Sequence, residues 1–596
     1  MARSRGAPDN LRLYKVTYFG ETLGAFELPV GEHMDDPDAL PRPVLTKPYK
    51  VEGDEAVYFW VEADPDGGFL TVYWRPNSLP ERKEAARFFA VANGLKSDGS
   101  IDHEKQPPIA ARSTEEVALI RGVLSNPNDE QPYLDYADWL ARKGDPYAEY
   151  IRLSLRMEPL DEADGARAEL EDELFDLAEK YGAKWVRGLT ELGLFPGADW
   201  QNEDEFDPQW WFGTKGVIDT LEIESGTAVF RTSPARLFVA APFLRRLTLG
   251  GPEVTPAQLA TIPQMRQIDW LYLECGPGTL EDFIAFAASP HFDGLRHLTV
   301  YGSGIDAGVA GVLAGARWMP NLRELSLTRN EVGDDGAEAL AGSAYCANLE
   351  DLELDGNGLT DRGLIALCGS AHLAQLKALG LGDGAFTAAG IRALRTAPFA
   401  PGLRDLDLTR CGLDAPAFAE LAAAPLPALK VLDVNGNRAG GAALAALTGA
   451  PFFRALEVFG AEDCDLGNEI VAGLARAGLF ELTDLALGDN RIDAAGVAAL
   501  MRSKAAATLR ALRLPRNPLG TDGVIELAGS ALPHLRVLDL QGVRLGKEAV
   551  LALVKAPWRK QLTRLDISED CVGDRALEVI TDRFGENVVR LDVDDE

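Results

Sequence analysis

Apolar residues recur along most of this chain at two nested periods. The shorter is two: in Leu325-Ser326-Leu327 and its many relatives, leucines alternate with polar residues, the pattern of a strand with one buried face. The longer is the recurrence of the whole unit. Its central anchor can be followed through Leu221, Leu247, Leu271, Leu298, Leu325, Leu352, Leu379, Leu406, Leu432, Phe459, Leu485, Leu512, Leu538, Leu565 and Leu591, 15 positions separated by 24 to 27 residues. A register held this long implies stacked units, none able to bury its apolar face alone.

Within a unit the form is L-x-x-L-x-L, two variable residues, often Asn or Cys, and another apolar residue. Acidic residues and good helix formers follow, as in Asp334-Asp335-Gly336-Ala337-Glu338-Ala339-Leu340-Ala341, so each unit predicts a strand, a turn and a short helix. Asn330, Asn357, Asn437, Asn490 and Asn517 fall five residues after the anchor, where a buried amide can satisfy its own turn and the adjacent one. Cys411 and Cys464 share that register as small buried thiols, whereas Gly384, Val543 and Asp570 depart from it. These units resemble the leucine-rich repeats of the ribonuclease-inhibitor type. The resemblance implies an α/β solenoid with parallel strands on a concave face and helices on the convex face. Physical spacing agrees, since strands lie about 4.8 Å apart and helices about 10 Å.

Ahead of the array the periodicity changes. Runs at Leu11–Phe19, Val57–Ala63 and Phe69–Trp74 predict strands, with a hairpin turn at Asp66-Gly67-Gly68, and a helix is expected from Pro80 to Asn93-Gly94. Tyr58, Phe59, Trp60, Tyr73 and Trp74 could fill a core or form a stacking surface. A polar linker covers Lys96 to Ser113. Three helices follow, the first capped by Ser113 or Thr114, the second carrying Leu134, Tyr136, Trp139 and Leu140, the third starting near Tyr147.

The segment Tyr136-Ala137-Asp138-Trp139-Leu140, with Gly144-Asp145-Pro146 and Glu149-Tyr150-Ile151-Arg152-Leu153, resembles the bacterial repeat-companion domain over roughly residues 114–190. It departs from that family at Tyr133, where Arg is usual, and at Tyr147-Ala148, where Arg-Gly is common. The resemblance implies an accessory module beside a repeat array. Asp135, Asp138, Asp145 and Glu149 read as helix caps and ion-pair partners, Asp138 with Arg142, rather than as a metal or acid–base site. The expected organisation is an α+β domain and linker over 1–112, a helical module over 113–199, and an array of about 15 repeats with caps over 200–596, the caps being Trp200–Phe212 and Arg590–Glu596.

Charge narrows the function. Lys and Arg number 59 against 92 Asp and Glu, a net charge of -33 that disfavours nucleic acid as a direct partner. No secretory signal and no long apolar run is evident, so a cytoplasmic location without membrane partners is expected, and the six cysteines read as reduced thiols. The residues just before, just after and three beyond each anchor should project from the strand wall. Among them are Glu222, Glu224, Glu274, Glu324, Asp351, Glu353, Asp355, Asp405, Asp407, Asp433, Glu462, Asp484, Asp539 and Asp566, opposed only by Arg246, Arg513 and Arg564. Trp270, Tyr272, His297 and Tyr301 share the wall with Glu274.

Exposed aromatics beside carboxylates predict a surface for a protein partner, its bound segment basic; the alternative is that the aromatics pack on residues 200–212. No Walker A, HExxH, GxSxG or Cys–His constellation occurs, and only six histidines are present, so no enzyme, cofactor or metal is expected. Two other readings stay open: an effector activity in the N-terminal domain, or regulation of a GTPase through Arg329 or Arg410 on strand-end loops.

Overall fold

The computed structural model describes residues 11–18, 21–29, 60–63 and 70–73, and then 112–592 except 161–164, 191, 193, 195–212, 214, 224–228, 231–233, 252–253, 275, 277, 479–480 and 586. The helix expected from Pro80, the side chains of Tyr58, Phe59, Trp60, Tyr73 and Trp74, Glu224, and the cap expected at Trp200–Phe212 lie outside the described part. Contacts divide the chain into residues 1–248 and 249–596.

In the first unit, β1 (Leu11–Tyr18) pairs antiparallel with β2 (Glu21–Pro29), and β3 (Trp60–Ala63) with β4 (Leu70–Tyr73). Strand β2 was not evident in the sequence. Helices α1 (Thr114–Ser125), α2 (Gln131–Arg142) and α3 (Tyr147–Met157) form the start of the helical module, and α4 (Gly165–Trp185) follows. Ser113 caps α1 by accepting from the Glu116 N–H at 3.1 Å. Ile120, Val123, Tyr133, Tyr136, Trp139, Leu140 and Ile151 share one core.

Two details differ from expectation. Asp138 pairs with Arg152 of α3 at 2.7 Å, while Arg142 reaches Glu115 of α1 at 2.9 Å, because the packed neighbouring helices offer closer partners than the next turn. Tyr133 is buried and donates to the Pro127 carbonyl at 3.0 Å, with the Lys215 ammonium 5.3 Å from its ring centre. Burial pushes its hydroxyl pKa up to about 12. Its role here is core packing.

The array strands are β5 (Thr220–Ile223), β6 (Arg246–Gly250), β7 (Trp270–Glu274), β8 (His297–Val300), β9 (Glu324–Ser326), β10 (Asp351–Glu353), β11 (Ala378–Gly380), β12 (Asp405–Asp407), β13 (Val431–Asp433), β14 (Val458–Gly460), β15 (Asp484–Ala486), β16 (Ala511–Arg513), β17 (Val537–Asp539), β18 (Arg564–Ser568) and β19 (Val589–Asp592). They lie in chain order in one 15-stranded sheet. From Leu271 to Leu565 each anchor pairs in parallel with the next, as Leu379 does with Leu406 and Phe459 with Leu485.

The last copy breaks the register. Leu565 faces Val589, not Leu591, which pairs with Ile567 and is 37% exposed. Several earlier units regain their strand through a short 3-10 turn such as Pro451–Ala455; here helix Asp574–Phe584 leads through Gly585 to the strand, two residues early.

Two cross-repeat devices lock the stack. The first is the Asn ladder: the Asn330 amide donates to the carbonyls of Val300 and Leu327 at 2.7 and 2.8 Å and accepts from the N–H groups of Ser303 and Ile305 at 2.9 and 3.0 Å. The second is a carboxylate lent to the next helix. Asp334, in helix Gly333–Gly342, accepts from Thr360 N and Oγ1 at 2.8 and 2.6 Å and from Gly363 N at 2.9 Å, at the start of helix Asp361–Gly369. Gly363 is needed there, since a Cβ would stand 2.6 Å from the Asp334 Oδ1. Burial raises the Asp334 pKa, but hydrogen bonds from Thr360, Gly363 and Arg362 outweigh it and hold the carboxyl below its usual value. Asp334→Ala is expected to lower stability by about 1 kcal/mol, read as a shift in urea midpoint without a change in slope.

Candidate functional site

Side-chain alternation sends the residue before and after each anchor outward, and the next turn returns a third residue to the same wall. On β7 and β8 this places Trp270, Tyr272, His297 and Tyr301 side by side, all half-buried, with Glu274 and Glu324 exposed. Trp270 and Tyr272 have ring centres 6.3 Å apart and planes 16° apart; Tyr272 and Tyr301 are likewise 6.3 Å apart at 23°. The Arg329 guanidinium lies 5.6 Å from the Tyr301 ring centre. His297 Nδ1 stands 2.6 Å from Glu324 Oε2, without hydrogen-bond geometry.

Beyond this cluster the wall turns acidic. Register puts Asp351, Ala378 and Asp405 abreast, and Glu353, Gly380 and Asp407 abreast, with Asp433 on the following strand beside Asp407. Strand β11 is therefore bare. Its wall positions are Ala378, Gly380 and Gly382, and the Asp355 carboxylate leans across it to accept from Gly382 N at 2.6 Å. A Cβ at Gly380 would meet Asp355 Oδ2 at 2.5 Å. Asp407 accepts from Thr409 N at 2.7 Å, and Asp433 from Asn435 N and Thr409 Oγ1 at 2.9 and 3.1 Å, so their turns fix their orientation.

These carboxyls sit in poor solvent among like charges. Burial first, and then the neighbouring Glu353, Glu324 and Asp405, push Asp351 up to about 6. Burial also lifts Asp355 to about 6 against the Gly382 hydrogen bond. Asp405, Asp433, Glu462 and Asp539 are raised for the same leading reason.

The array treats its other charges differently. Arg410 grips Asp383 at 2.6 and 2.7 Å, Arg438 grips Asp463 at 2.9 Å twice, and Arg516 grips Asp489 at 2.5 Å twice, all on the loops after the strands. Three cationic wall residues are occupied too: Arg246 by Asp219 at 2.9 Å, Arg513 by Asp484 at 3.9 Å, and Arg564 by Asp566 at 2.7 Å. Asp566 is buried under its arginine and so is not an open wall charge as expected. Among the described residues, no Lys or Arg nitrogen comes within 4.0 Å of Asp351, Glu353, Asp355, Asp405, Asp407 or Asp433.

Sequence pattern had placed these acids on one wall but missed the bare strand between them. The signal was available as three small residues, Ala378, Gly380 and Gly382, at the outward positions of one unit. Also missed was the left-handed residue four beyond the anchor, positive in φ at Arg329, Asp383, Arg410, Asp463, Asp489 and Arg516, which turns each loop so that its charge meets the neighbouring repeat. Among the described residues, no cluster of three His, Cys, Asp or Glu could hold a metal ion, and no helix is long and apolar enough to cross a membrane.

A search of curated proteins finds no match. Among solved structures, an internalin from Listeria monocytogenes matches at 18% identity and TM-score 0.33, over 53% of this chain and 90% of that one. A chain of the yeast Rad7–Elc1 complex matches at 20% identity and TM-score 0.38, over 55% and 80%. Neither supplies a partner or an activity at these values. A family profile described as Leucine Rich repeat matches residues 319–341, 345–368 and 481–501. With its parallel strands in chain order, its repeating helices and its asparagine ladder, the array is a leucine-rich-repeat solenoid of the α/β class.

Proposed function

We propose that this protein is a non-enzymatic interaction scaffold whose strand wall binds a basic segment of a protein partner in the cytoplasm, with residues 113–199 serving as a repeat-companion module. The observation that carries the reading is a contrast in charge pairing. On the loops, acids meet arginines at hydrogen-bonding distance, whereas six carboxylates from β10 to β13 share a half-buried wall on which, among the described residues, none is in ion-pair contact with a Lys or Arg. Holding like charges on adjacent strands costs stability, and a cationic partner relieves that cost on binding. The half-buried rings of Trp270, Tyr272 and Tyr301 would supply the apolar contact.

Regulation of a GTPase by an arginine is less well supported, because Arg410 is held by Asp383 and Arg329 lies over Tyr301. The test is binding of a lysine- and arginine-rich peptide to the full chain, compared between two equally neutralised variants. One carries Asp351→Asn, Glu353→Gln, Asp405→Asn and Asp407→Asn; the other carries Asp522→Asn, Glu526→Gln, Glu548→Gln and Glu578→Gln at exposed helix positions. The wall variant is expected to weaken binding at least tenfold, about 1.4 kcal/mol, and the helix variant to leave it within twofold. Equal losses in both would reduce the effect to net charge and remove the wall.

A further inference from the structure

A stack of repeats must cover its first unit with something other than a repeat, because no earlier unit packs on that end. The first unit here is built on β5, and its apolar residues Val217, Ile218, Leu221, Leu237, Phe243 and Leu244 are each no more than 6% exposed. We infer that the helical module is what covers them: α1 to α3 and helix Arg187–Thr190 form the N-terminal cap of the array and fold with its first repeat as one body. The module's function is then to seal the stack, whatever the strand wall binds.

The module and the repeat share a core. Val217 and Phe243 lie in the same buried cluster as Ile120, Tyr136, Trp139 and Ile151. The Tyr136 and Phe243 rings meet edge to face, with centres 4.9 Å apart and planes at 76°. Polar contacts bridge the same two parts. Arg112 holds Glu116 of α1 at 2.8 Å and donates to the Val239 carbonyl of helix Pro234–Ala240 at 2.6 Å, while Lys215 stands 3.7 Å from Glu158 at the end of α3. Two glycines mark where the backbones approach too closely for a side chain. A Cβ on Gly188 would stand 2.8 Å from the Ala240 Cβ, and one on Gly216, whose φ is +70°, would stand 2.6 Å from the Ser154 Oγ and 3.1 Å from the Ile151 Cα. A module tethered beside an array keeps its own core and needs none of these approaches.

The test is native-state hydrogen exchange on the full chain with one substitution on each side of the shared core. Phe243→Ala, made in the repeat, is expected to lower amide protection at least about tenfold in α2 and α3 as well as in residues 217–244. Tyr136→Ala, made in the module, is expected to lower it to a similar extent in β5 and in helix Pro234–Ala240. Protection retained over residues 405–433 shows that the rest of the array is folded, and Phe243→Leu, which keeps most of the volume, gives the same pattern at smaller amplitude should the alanine variant not fold. If Phe243→Ala opens only residues 217–244, or Tyr136→Ala only residues 114–157, the module and the repeat are separate folding units and the cap is overturned.

Discussion

Asn490→Ala is expected to destabilise the array by about 3–5 kcal/mol, read as a lowered urea midpoint with loss of amide protection in residues 461–490. The side chain is 5% exposed and makes five hydrogen bonds. Its Nδ2 donates to the carbonyls of Ala461, Leu487 and Gly488 at 2.8, 3.0 and 2.9 Å, and its Oδ1 accepts from the N–H groups of Cys464 and Leu466 at 3.2 and 3.0 Å. Alanine would strand these groups in a turn from which water is excluded, at roughly 1–3 kcal/mol for each that stays unsatisfied.

Asn490→Cys separates donor from acceptor. Cys464 already shows the donor half, its Sγ reaching the carbonyls of Val434 and Glu462 at 3.2 Å each. A thiol is a weaker acceptor than an amide oxygen, so it keeps the donor half of the ladder and only part of the acceptor half. Asn490→Cys is therefore expected to lose about half as much as Asn490→Ala. Equal losses would show that the acceptor carries the whole effect.

That comparison also explains why some of the fold was legible and some was not. The asparagines and leucines do one job in every copy, so spacing alone finds them. Gly384 and Val543 depart from that register for reasons that spacing does not show. Gly384 precedes the unit of Cys411, and Phe386 packs its ring where a Cβ on Gly384 would stand, 2.5 Å away. Val543 precedes Cys571, whose carbonyl takes the Leu545 N–H at 3.1 Å. A search by fixed period reads each unit by itself and cannot see such exchanges. The same limit misplaced the last strand, where Leu591 keeps a 26-residue spacing while hydrogen bonding selects Val589. On the wall, alternation found the acids and the rings. It did not reveal which acids are paired, because pairing depends on left-handed loop residues such as Arg410 and Arg516 that reach back to the preceding repeat.

The unpaired wall acids carry the second large effect, and its sign is opposite to that of most carboxylates in folded proteins. Asp351 and Asp355 are raised to about 6 from 3.8, so the folded state binds their protons more tightly than the unfolded chain does. Stability linked to such groups is fully present below the unfolded value near 4 and is lost as pH rises through 6. The midpoint of unfolding should therefore rise as pH falls from 7 to 5. Acids whose pKa is lowered, such as Asp334 and Asp383, act in the reverse sense, with their loss confined to pH below about 4. Asp351→Asn with Asp355→Asn should raise stability at pH 7 by about 2–3 kcal/mol, after halving the full linkage value for solvent screening at a half-open wall, and should flatten the profile between pH 5 and 7. The amide oxygen at 355 can still accept from Gly382, which keeps that turn intact. If the wall binds a basic segment, the same substitutions and the same fall in pH must weaken peptide binding while strengthening the fold. Loss of binding accompanied by loss of stability would mean that these acids hold the array together, and the strand wall would then have to be read as structure instead of as a recognition surface.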